Sequence, residues 1–500
     1  MLPFDFFRRA ARLWPDQPAV ITDDETLTFA QLADRVLRLA ALLVDLDAAP
    51  QTRVAVSARN SADHIAAILA VAAAGKIWVP INPRNGDTEI ARGIEITAPS
   101  ILLLDAQMMD RIGTNVGEKI LLDDGSESTM RRSVRYEPLR DSLTSPDVTG
   151  VQAIKFTGGT SGAPKGAMQS YRCWNTKIAS QCYAYGFNAT DRFLVTTPLT
   201  HGASTYLLPV LGSGGAIVIP EASSPAAIVE ALPRHKITTM FMPPTQLTAC
   251  ADHAQQGGVD SRSLRRIVYG AAPMRPDRIR QAQEVFGPVI ACTYGQAEAP
   301  QIIAVMSPQE LTQDANLTAA GRPSLLTKIM IEGAEHSPAR PGEQGEILVR
   351  GDLVMNGYWN LPELTAKTIV DGWLRTGDVG FLNERGYLFI RDRSKEIIIT
   401  GGFNVYPSDV ESALSLQPAV AYCAVLGLPD EKWGEAVHAA VELRPGFTID
   451  RNEVLRELRS TLGPVQTPKH LHVFEDLPRS PVGKILKTEI RKMIERGGNL

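Results

Sequence analysis

A segment rich in glycine and hydroxyl side chains offers the most informative chemistry in the sequence. Residues 157–166 read Thr-Gly-Gly-Thr-Ser-Gly-Ala-Pro-Lys-Gly. Glycines allow backbone N–H groups to approach a polyphosphate closely, while the hydroxyls add donors and the lysine adds a point charge. Residues 151–156 are typical of a strand that leads into this loop. The segment predicts a phosphate-binding loop, and the alternative is an ordinary Gly/Ser turn.

Two better-known nucleotide motifs are excluded by the spacing. A Walker A loop needs Ser or Thr directly after its Gly-Lys pair, whereas glycine and alanine follow Lys165. A dinucleotide fingerprint needs a final glycine, and the glycine cluster at residues 212–215 is followed by isoleucine at that position. The loop therefore belongs to neither class.

Further polar segments follow in chain order and carry a family resemblance. Residues 294–298 read Tyr-Gly-Gln-Ala-Glu, and residues 375–378 read Arg-Thr-Gly-Asp. Residues 391–402 begin with a charged segment at 391–396 and end in two glycines. Residues 478–484 read Pro-Arg-Ser-Pro-Val-Gly-Lys. Together with the loop and with residues 27–32, they resemble the adenylate-forming superfamily of acyl-CoA synthetases, nonribosomal-peptide adenylation domains and firefly luciferases. The resemblance extends over nearly the whole chain.

The resemblance implies an ATP-dependent, AMP-forming enzyme, most like an acid–CoA ligase. Such an enzyme activates a carboxylic acid as its acyl-adenylate and then transfers the acyl group to coenzyme A, with Mg²⁺ bridging the ATP phosphates. It assigns the metal to Glu298 and Thr160, because a carboxylate and a hydroxyl are hard oxygen ligands. It assigns nucleotide and coenzyme binding to Thr157, Gly158, Gly159, Thr160, Ser161, Gly162, Lys165, Gly270, Ala271, Ala272, Pro273, Tyr294, Gly295, Gln296, Asp378, Arg393 and Gly402.

The resemblance places the catalytic lysine and the hinge near the C-terminus. A carboxylate that attacks the α-phosphate builds negative charge on anionic oxygens, and the ammonium of Lys484 would stabilise that charge. Lys395 matches the family's hinge position, and Gly402 belongs to a glycine pair suited to a narrow pantetheine passage. The alternatives are solvated lysines and an ordinary glycine turn.

The acid-binding pocket is the least defined part of the site. His201 resembles the family's gate beside the acyl group and joins Lys484 and Glu298 as a catalytic candidate. Gly202 stands where amino-acid-activating relatives usually have an aspartate, which disfavours an amino-acid substrate. Small residues suggest room for an aromatic, alicyclic or medium-chain fatty acid, although the acid itself stays open. The expected pocket consists of His201, Gly202, Ala203, Met242, Gly270, Gly295 and Ile302.

One residue departs from the family pattern, and several functions remain open. Ala297 stands where a threonine usually contacts phosphate, so Gln296 or a water would have to replace that donor. The alternatives to a CoA ligase are a stand-alone adenylation enzyme that acylates a carrier protein or an amine, a luciferase-like oxygenase, and a non-catalytic binding relative. The last of these is disfavoured by the presence of Lys165, Glu298, Asp378 and Lys484, and we expect no fused carrier domain.

Composition fits an ordinary globular enzyme of several domains. The 500 residues carry a formal net charge of -4, which gives no general reason to bind nucleic acid. The five cysteines form no Cys-x-x-Cys pair, so a reducing compartment fits best. No secretion signal or membrane span is recognisable, and we expect a cytoplasmic protein. A homodimer is left open.

The elements that must position these residues alternate between helix and strand. Apolar residues at 32, 36, 39 and 43 have helical spacing, and short apolar runs at 77–80 and 101–104 are typical of buried strands. Such alternation favours a parallel sheet covered by helices. We expect an α/β protein whose large N-terminal domain, residues 1–393, combines parallel-rich sheets with helices and a β-rich subdomain. Residues 394–500 should form a small mobile α+β domain that carries the catalytic lysine.

Overall fold

The computed structural model describes residues 1–113, 117–122, 132–139, 147–157, 164–393, 395–480 and 485–496. They form a mixed α/β protein with a large N-terminal part and a small C-terminal part, which confirms the predicted fold class. No helix in the described ranges is long and apolar enough to cross a membrane.

The strands are short and follow the apolar runs of the sequence. In chain order they are β1 (Pro18–Ile21), β2 (Thr26–Thr28), β3 (Arg53–Ser57), β4 (Ile77–Pro80), β5 (Ile101–Leu104), β6 (Glu118–Leu121), β7 (Val151–Thr157), β8 (Lys165–Ser170), β9 (Arg192–Leu194), β10 (Ala216–Val218), β11 (Thr239–Met242), β12 (Arg266–Tyr269), β13 (Ile290–Tyr294), β14 (Ala304–Met306), β15 (Arg322–Pro323), β16 (Lys328–Glu332), β17 (Gly345–Arg350), β18 (Gly357–Tyr358), β19 (Ile369–Val370), β20 (Trp373–Leu382), β21 (Leu388–Arg393), β22 (Ile398–Thr400), β23 (Phe403–Val405), β24 (Val420–Asp430), β25 (Gly434–Leu443) and β26 (His470–Phe474).

The α-helices begin mostly at a hydroxyl, an aspartate or a proline. The Thr28 side chain caps the second helix and the Ser170 side chain caps the sixth, which satisfies backbone N–H groups that lack helical partners. The helices are α1 (Pro3–Leu13), α2 (Phe29–Leu46), α3 (Ala62–Ala73), α4 (Asp87–Thr97), α5 (Ala106–Arg111), α6 (Tyr171–Tyr185), α7 (Ser204–Gly212), α8 (Pro225–Arg234), α9 (Pro244–Gly257), α10 (Pro276–Phe286), α11 (Pro308–Leu311), α12 (Pro362–Thr368), α13 (Pro407–Ser415), α14 (Arg451–Gln466) and α15 (Lys487–Glu495).

Two sheets dominate the N-terminal part. The first has the strand order β18-β8-β7-β4-β3-β5-β6, in which β7, β4, β3, β5 and β6 run parallel. The second has the order β15-β14-β13-β12-β11-β9-β10-β1-β2 with a parallel centre from β13 to β1. Strands β4, β11 and β13 are buried at every position, as expected for parallel strands covered on both faces.

The chain separates into two compact units. The first comprises residues 1–158, 164–329 and 349–374, and the second comprises residues 159–163, 330–348 and 375–500. In the second unit the sheet β23-β22-β25-β24, with β26 beside β25, covers an apolar core that includes Val425, Val437 and Leu458. The expected mobile domain of residues 394–500 lies wholly within this unit, and its boundary as a moving body stays a prediction.

Candidate active site

The carboxyl ends of three parallel strands bring predicted pocket residues to one edge of the second sheet. Met242 ends β11, Gly270 follows β12, and Gly295 follows β13, and these strands are adjacent and in parallel register. Open parallel sheets bind ligands at this edge. Met242 is buried, as is Ile302 a few residues beyond β13, whereas residues 271–273 form an exposed turn.

At three of the pocket positions an added side chain would overlap with atoms that are already there. A Cβ at Gly295 would lie 2.6 Å from the Gln301 backbone, and one at Gly270 would lie 2.7 Å from the Thr293 carbonyl oxygen. A Cβ at Gly202 would lie 2.4 Å from the Phe241 ring. The Phe241 ring also approaches the Gly270 position, at 3.4 Å. Sequence reasoning missed Phe241, which occupies part of the room that the small residues suggested.

The phosphate loop has a defined base. Strands β7 and β8 pair as an antiparallel hairpin in which Thr157 lies opposite Lys165. The predicted residues Gly158, Gly159, Thr160, Ser161 and Gly162 lie outside the described residues.

A tyrosine that sequence reasoning missed links the loop lysine to the predicted metal carboxylate. The Lys165 Nζ lies 5.6 Å from the centre of the Tyr358 ring, and the Tyr358 hydroxyl donates a 2.7 Å hydrogen bond to Glu298 Oε1. Burial and the Glu298 carboxylate raise the pKa of Tyr358, so the phenol stays protonated. Strand β18 positions this tyrosine by pairing with β8. The Gly-Tyr-Trp run at residues 357–359 was the available signal.

The segment around Glu298 is held by backbone contacts. The Gln169 side chain donates a 2.8 Å hydrogen bond to the carbonyl oxygen of Ala297, and the Met355 N–H donates to the carbonyl oxygen of Glu298 at 2.8 Å. Gln296 is half-buried, and its side-chain nitrogen lies 3.5 Å from the hydroxyl of the buried Tyr294. The segment is therefore held in place even though Ala297 lacks the usual hydroxyl.

His201 lies beside the start of helix α7, next to the buried Ala203. Its Nδ1 is 3.1 Å from the Thr200 hydroxyl, and the ring is accessible to water. Although the side chain is partly exposed, the protein atoms packed around it displace hydrating water, and this desolvation together with the nearby charge of Lys155 lowers the pKa of His201 to about 4. The imidazole is therefore neutral at neutral pH, and a neutral ring suits the role of a gate better than the role of a proton donor.

The second unit brings together the two predicted ribose-binding residues. Asp378 in β20 lies opposite Arg393 in β21, with Arg393 Nε 3.4 Å from Asp378 Oδ1. Asp378 is buried, and its N–H donates to the Thr376 hydroxyl at 3.1 Å. Arg375 in the same motif binds Glu332 and Glu346. Both charged residues of the Arg-Thr-Gly-Asp motif are thus paired, and these contacts hold Asp378 beside Arg393.

The predicted hinge and glycine pair lie in a turn-rich stretch. Lys395 is exposed and follows β21. Gly401 and Gly402 form the two-residue loop between β22 and β23, with φ of 58° and 83°. Two positive φ values are typical of a tight hairpin that only glycine adopts without strain. A Cβ on Gly402 would meet no atom within 4 Å, so the turn presents bare backbone.

Lys484 lies outside the described residues, but both flanks of its segment are anchored. Arg479 forms an isolated β-bridge with Ile485, and the Leu486 N–H donates to the Pro478 carbonyl oxygen at 2.8 Å. Lys487 forms ion pairs with Glu411 at 2.8 Å and Glu396 at 3.2 Å. These contacts close the base of the segment that carries the predicted lysine.

The residues present fit a magnesium ion that binds mainly through substrate. Within the described ranges there is no group of three or more His, Cys, Asp or Glu side chains that could hold a metal alone. Glu298 is half-buried and oriented by Tyr358. Mg²⁺ commonly binds through one or two carboxylates plus substrate phosphates, so this carboxylate suits the ion.

Known families and relatives match most of the chain. The family model described as AMP-binding enzyme matches residues 7–359, and the one described as AMP-binding enzyme C-terminal domain matches residues 409–484. The medium/long-chain-fatty-acid–CoA ligase FadD8 of Mycobacterium tuberculosis is 32% identical over 96% of this chain and 88% of that protein. The feruloyl-CoA synthase of an Amycolatopsis species is 33% identical over 97% of each chain.

A solved structure of an amide bond synthetase is also similar to this chain. The amide bond synthetase McbA from Marinactinospora thermotolerans superposes with a TM-score of 0.89 and 33% sequence identity, covering 98% of this chain and 99% of that chain. The similarity in both sequence and fold thus extends over nearly the full length of this chain.

Proposed function

The chain belongs to the AMP-binding enzyme family, and from that membership we propose that it is an acid–CoA ligase. In the first half-reaction a substrate carboxylate oxygen attacks the α-phosphorus of ATP, and pyrophosphate leaves with the electron pair of the broken P–O bond. In the second, the coenzyme A sulfur attacks the acyl carbon of the acyl-adenylate, AMP leaves, and the thiol proton passes to solvent. The products are acyl-CoA, AMP and pyrophosphate.

The geometry around Tyr358 is the observation that carries this proposal. Lys165 and Glu298 supply a cation and a carboxylate to the same tyrosine from separate strands and loops. Such a set would hold the ATP phosphates and orient them for in-line attack. Mg²⁺ bound at Glu298 would neutralise charge on the phosphate oxygens.

The remaining roles follow the sequence prediction. Asp378 and Arg393 would bind the ribose, and Tyr294 would pack against the adenine beside the turn at residues 271–273. Lys484 would stabilise charge on the α-phosphate, since an ammonium placed there acts where negative charge develops. Thr160 would add a hydroxyl ligand to the metal, and Lys395 would serve as the hinge.

The acid is proposed to be aromatic, alicyclic or medium-chain. Support comes from the burial of the apolar residues Met242, Ile302 and Phe241, and from relatives whose names specify feruloyl and medium- or long-chain fatty acyl groups. A cytoplasmic location fits a ligase that uses ATP and coenzyme A.

A pyrophosphate-release screen tests the proposal. Acids of the three classes are incubated with ATP and Mg²⁺, with and without coenzyme A, and the nucleotide product is identified. We expect AMP and pyrophosphate with at least one acid, and a thioester when coenzyme A is present. ADP and inorganic phosphate as primary products would contradict adenylation.

The second candidate function is adenylation followed by transfer to an amine or a carrier protein. The similarity to an amide bond synthetase favours it, because that enzyme and this chain align over nearly their full lengths. Parallel reactions with coenzyme A, small amines and a pantetheinylated carrier protein separate the acceptors. Amide formation that outpaces thioester formation would favour the second candidate.

A further inference from the structure

Two lysines are buried side by side next to helix α7, outside the set assigned above. Lys155 lies in β7, and Lys177 lies in α6, and the two side chains are 9% and 1% exposed. Lys155 Nζ lies 4.8 Å from the Trp78 ring centre and Lys177 Nζ 3.4 Å from the Trp174 ring centre. These two indole rings meet edge to face with centres 6.1 Å apart.

Several polar atoms of this cluster are buried without a hydrogen-bond partner among the described residues. No ion pair of either lysine occurs among the residues that the structure describes. Lys177 Nζ, Trp78 Nε1 and both side-chain amide atoms of Gln181 are buried without a hydrogen-bond partner in the described part of the chain. Gln181 lies one helical turn after Lys177, so both side chains leave the same face of α6. A buried polar group without a partner is costly, so the unpaired donors Lys177 Nζ and Trp78 Nε1 indicate a missing acceptor.

The cluster adjoins the predicted acyl pocket. Lys155 Nζ donates a 3.0 Å hydrogen bond to the Ser204 hydroxyl, which in turn donates to the His201 carbonyl oxygen at 2.8 Å. Trp78 pairs with Ala153 across the sheet, two residues before Lys155, so Lys155 and Trp78 share one face. Lys155 thus lies behind the gate histidine, on the strand that leads to the phosphate loop, and Lys177 adjoins it from helix α6.

Burial makes both amines weak bases. It lowers the pKa of Lys155 to about 7, and burial together with the charge of Lys155 lowers the pKa of Lys177 well below its ordinary value. The bland alternative is a pair of neutral lysines packed on indole rings with water as their partner. A neutral lysine still donates hydrogen bonds, so an acceptor from the substrate would satisfy either protonation state.

We propose that Lys155 and Lys177 form a subsite for an acceptor oxygen, an oxo or a carboxylate oxygen, on the part of the acid remote from the activated carboxylate. The inference rests on the proposed acid–CoA ligase function and narrows its substrate class. Contact with such an oxygen selects functionalised acids over plain hydrocarbon acids, because a polar site penalises the analogue that leaves its donors unpaired.

Matched acids test the subsite. Pyrophosphate release is measured for octanoate, 7-oxooctanoate and suberate, and for 3-phenylpropanoate with its 4-acetyl and 4-carboxy derivatives. In the wild-type enzyme we expect kcat/KM at least about tenfold higher for one acceptor-bearing acid than for its unsubstituted parent. The oxo and carboxylate arms distinguish a carbonyl acceptor from an anion.

Variants separate the subsite from general damage. Lys155→Met and Lys177→Met should each reduce that selectivity ratio about tenfold, while Lys328→Met, which alters an exposed lysine, should leave it unchanged. If the variants do not fold, the wild-type ratios decide alone. Equal kcat/KM across a series, or higher values for the unsubstituted parent, would overturn the subsite even though adenylation is intact. If the enzyme turns over neither series, the subsite is also overturned. ATP–pyrophosphate exchange with other acids would then test the proposed function separately.

Discussion

The Tyr358 hydroxyl donates a 2.7 Å hydrogen bond to Glu298 Oε1, while the face of the same ring lies 5.6 Å from Lys165 Nζ. One aromatic side chain thus sets the separation between a cation and a carboxylate that come from different parts of the sequence. A carboxylate that accepts a hydrogen bond from a phenol at one oxygen keeps its other oxygen available for a hard cation. Tyr358 is therefore expected to act as a positioning residue for the phosphate site.

Removal of that hydroxyl should weaken the use of the Mg²⁺–ATP complex. For Tyr358→Phe we expect the KM for this complex to rise about tenfold, because one charge-assisted hydrogen bond is lost and Glu298 can rotate. ATP–pyrophosphate exchange at several Mg²⁺ concentrations measures the effect. Tyr183→Phe, at a tyrosine that is 72% exposed, is the matched control. Equal loss at saturating and limiting Mg²⁺ would count against a role through Glu298.

Loss of the terminal lysine should separate the two half-reactions. Lys484→Ala is expected to reduce adenylate formation at least about a hundredfold, since the stabilising ammonium is removed. Thioester formation from supplied acyl-AMP and coenzyme A should remain within about threefold of wild type. Lys492→Ala, in the exposed part of helix α15, is the control. An equal loss in both half-reactions would contradict the separation.

Substitutions at the hinge and at the glycine turn should impair the second half-reaction most. Lys395→Pro fixes φ near about −65° and should slow thioester formation more than adenylation. Gly402→Leu should block coenzyme use while acyl-AMP accumulates. Gly446→Leu is a matched control for backbone strain, because Gly446 has φ of 81° against 83° at Gly402 and both lack neighbours within 4 Å of an added Cβ. Wild-type thioester rates in the Lys395 and Gly402 variants would contradict domain alternation.

The ion pairs of Arg375 should make the free energy of unfolding depend on pH. The hydrogen bond from Arg375 lowers the pKa of Glu332 from 4.5 to about 2. Since the folded value is the lower one, this contribution is fully present above about pH 4.5 and is lost as pH falls through about 2. Arg375→Met should lower the free energy of unfolding by about 1–2 kcal/mol at pH 7 and by less at pH 3.

Urea unfolding at pH 7, 5, 4 and 3 measures this difference. Arg496→Met, at an exposed arginine in the same unit, should show no such trend. A difference between wild type and Arg375→Met that stays constant from pH 7 to pH 3 would mean that the lowered pKa of Glu332 contributes nothing to folding.

Local elements were predictable where burial imposes a simple pattern. The apolar runs at residues 77–80 and 101–104 are strands β4 and β5 with those bounds, since a strand buried on both faces has no reason to alternate. The motifs had already selected Asp378 and Arg393, and the structure adds that the two residues lie opposite each other on paired strands.

Contacts across the sequence were not predictable in the same way. Tyr358 meets Glu298 only because β18 joins the edge of the first sheet, and the two residues are 60 positions apart. Phe241 follows no motif, and its place between two glycines depends on the order of strands in the second sheet. Local periodicity contains neither relationship, so both residues were absent from the predicted site.

The contact between Gly202 and Phe241 predicts how the pocket limits the size of its acid. A methyl group at Gly202 would lie 2.4 Å from Phe241 Cε1, closer than van der Waals contact allows. Gly202→Ala should therefore displace the ring toward the space between the strand ends and reduce kcat/KM about tenfold or more for aromatic acids.

Shortening of Phe241 to leucine should relieve the overlap. In Gly202→Ala/Phe241→Leu we expect at least half of the lost activity to return, whereas Phe241→Leu alone should favour bulkier acids and cost about 1 kcal/mol of stability or somewhat more. Steady-state kinetics with 3-phenylpropanoate and a naphthyl analogue, together with thermal unfolding of all four proteins, measures the coupling. Additive losses in the double variant would show that Phe241 does not set the pocket volume.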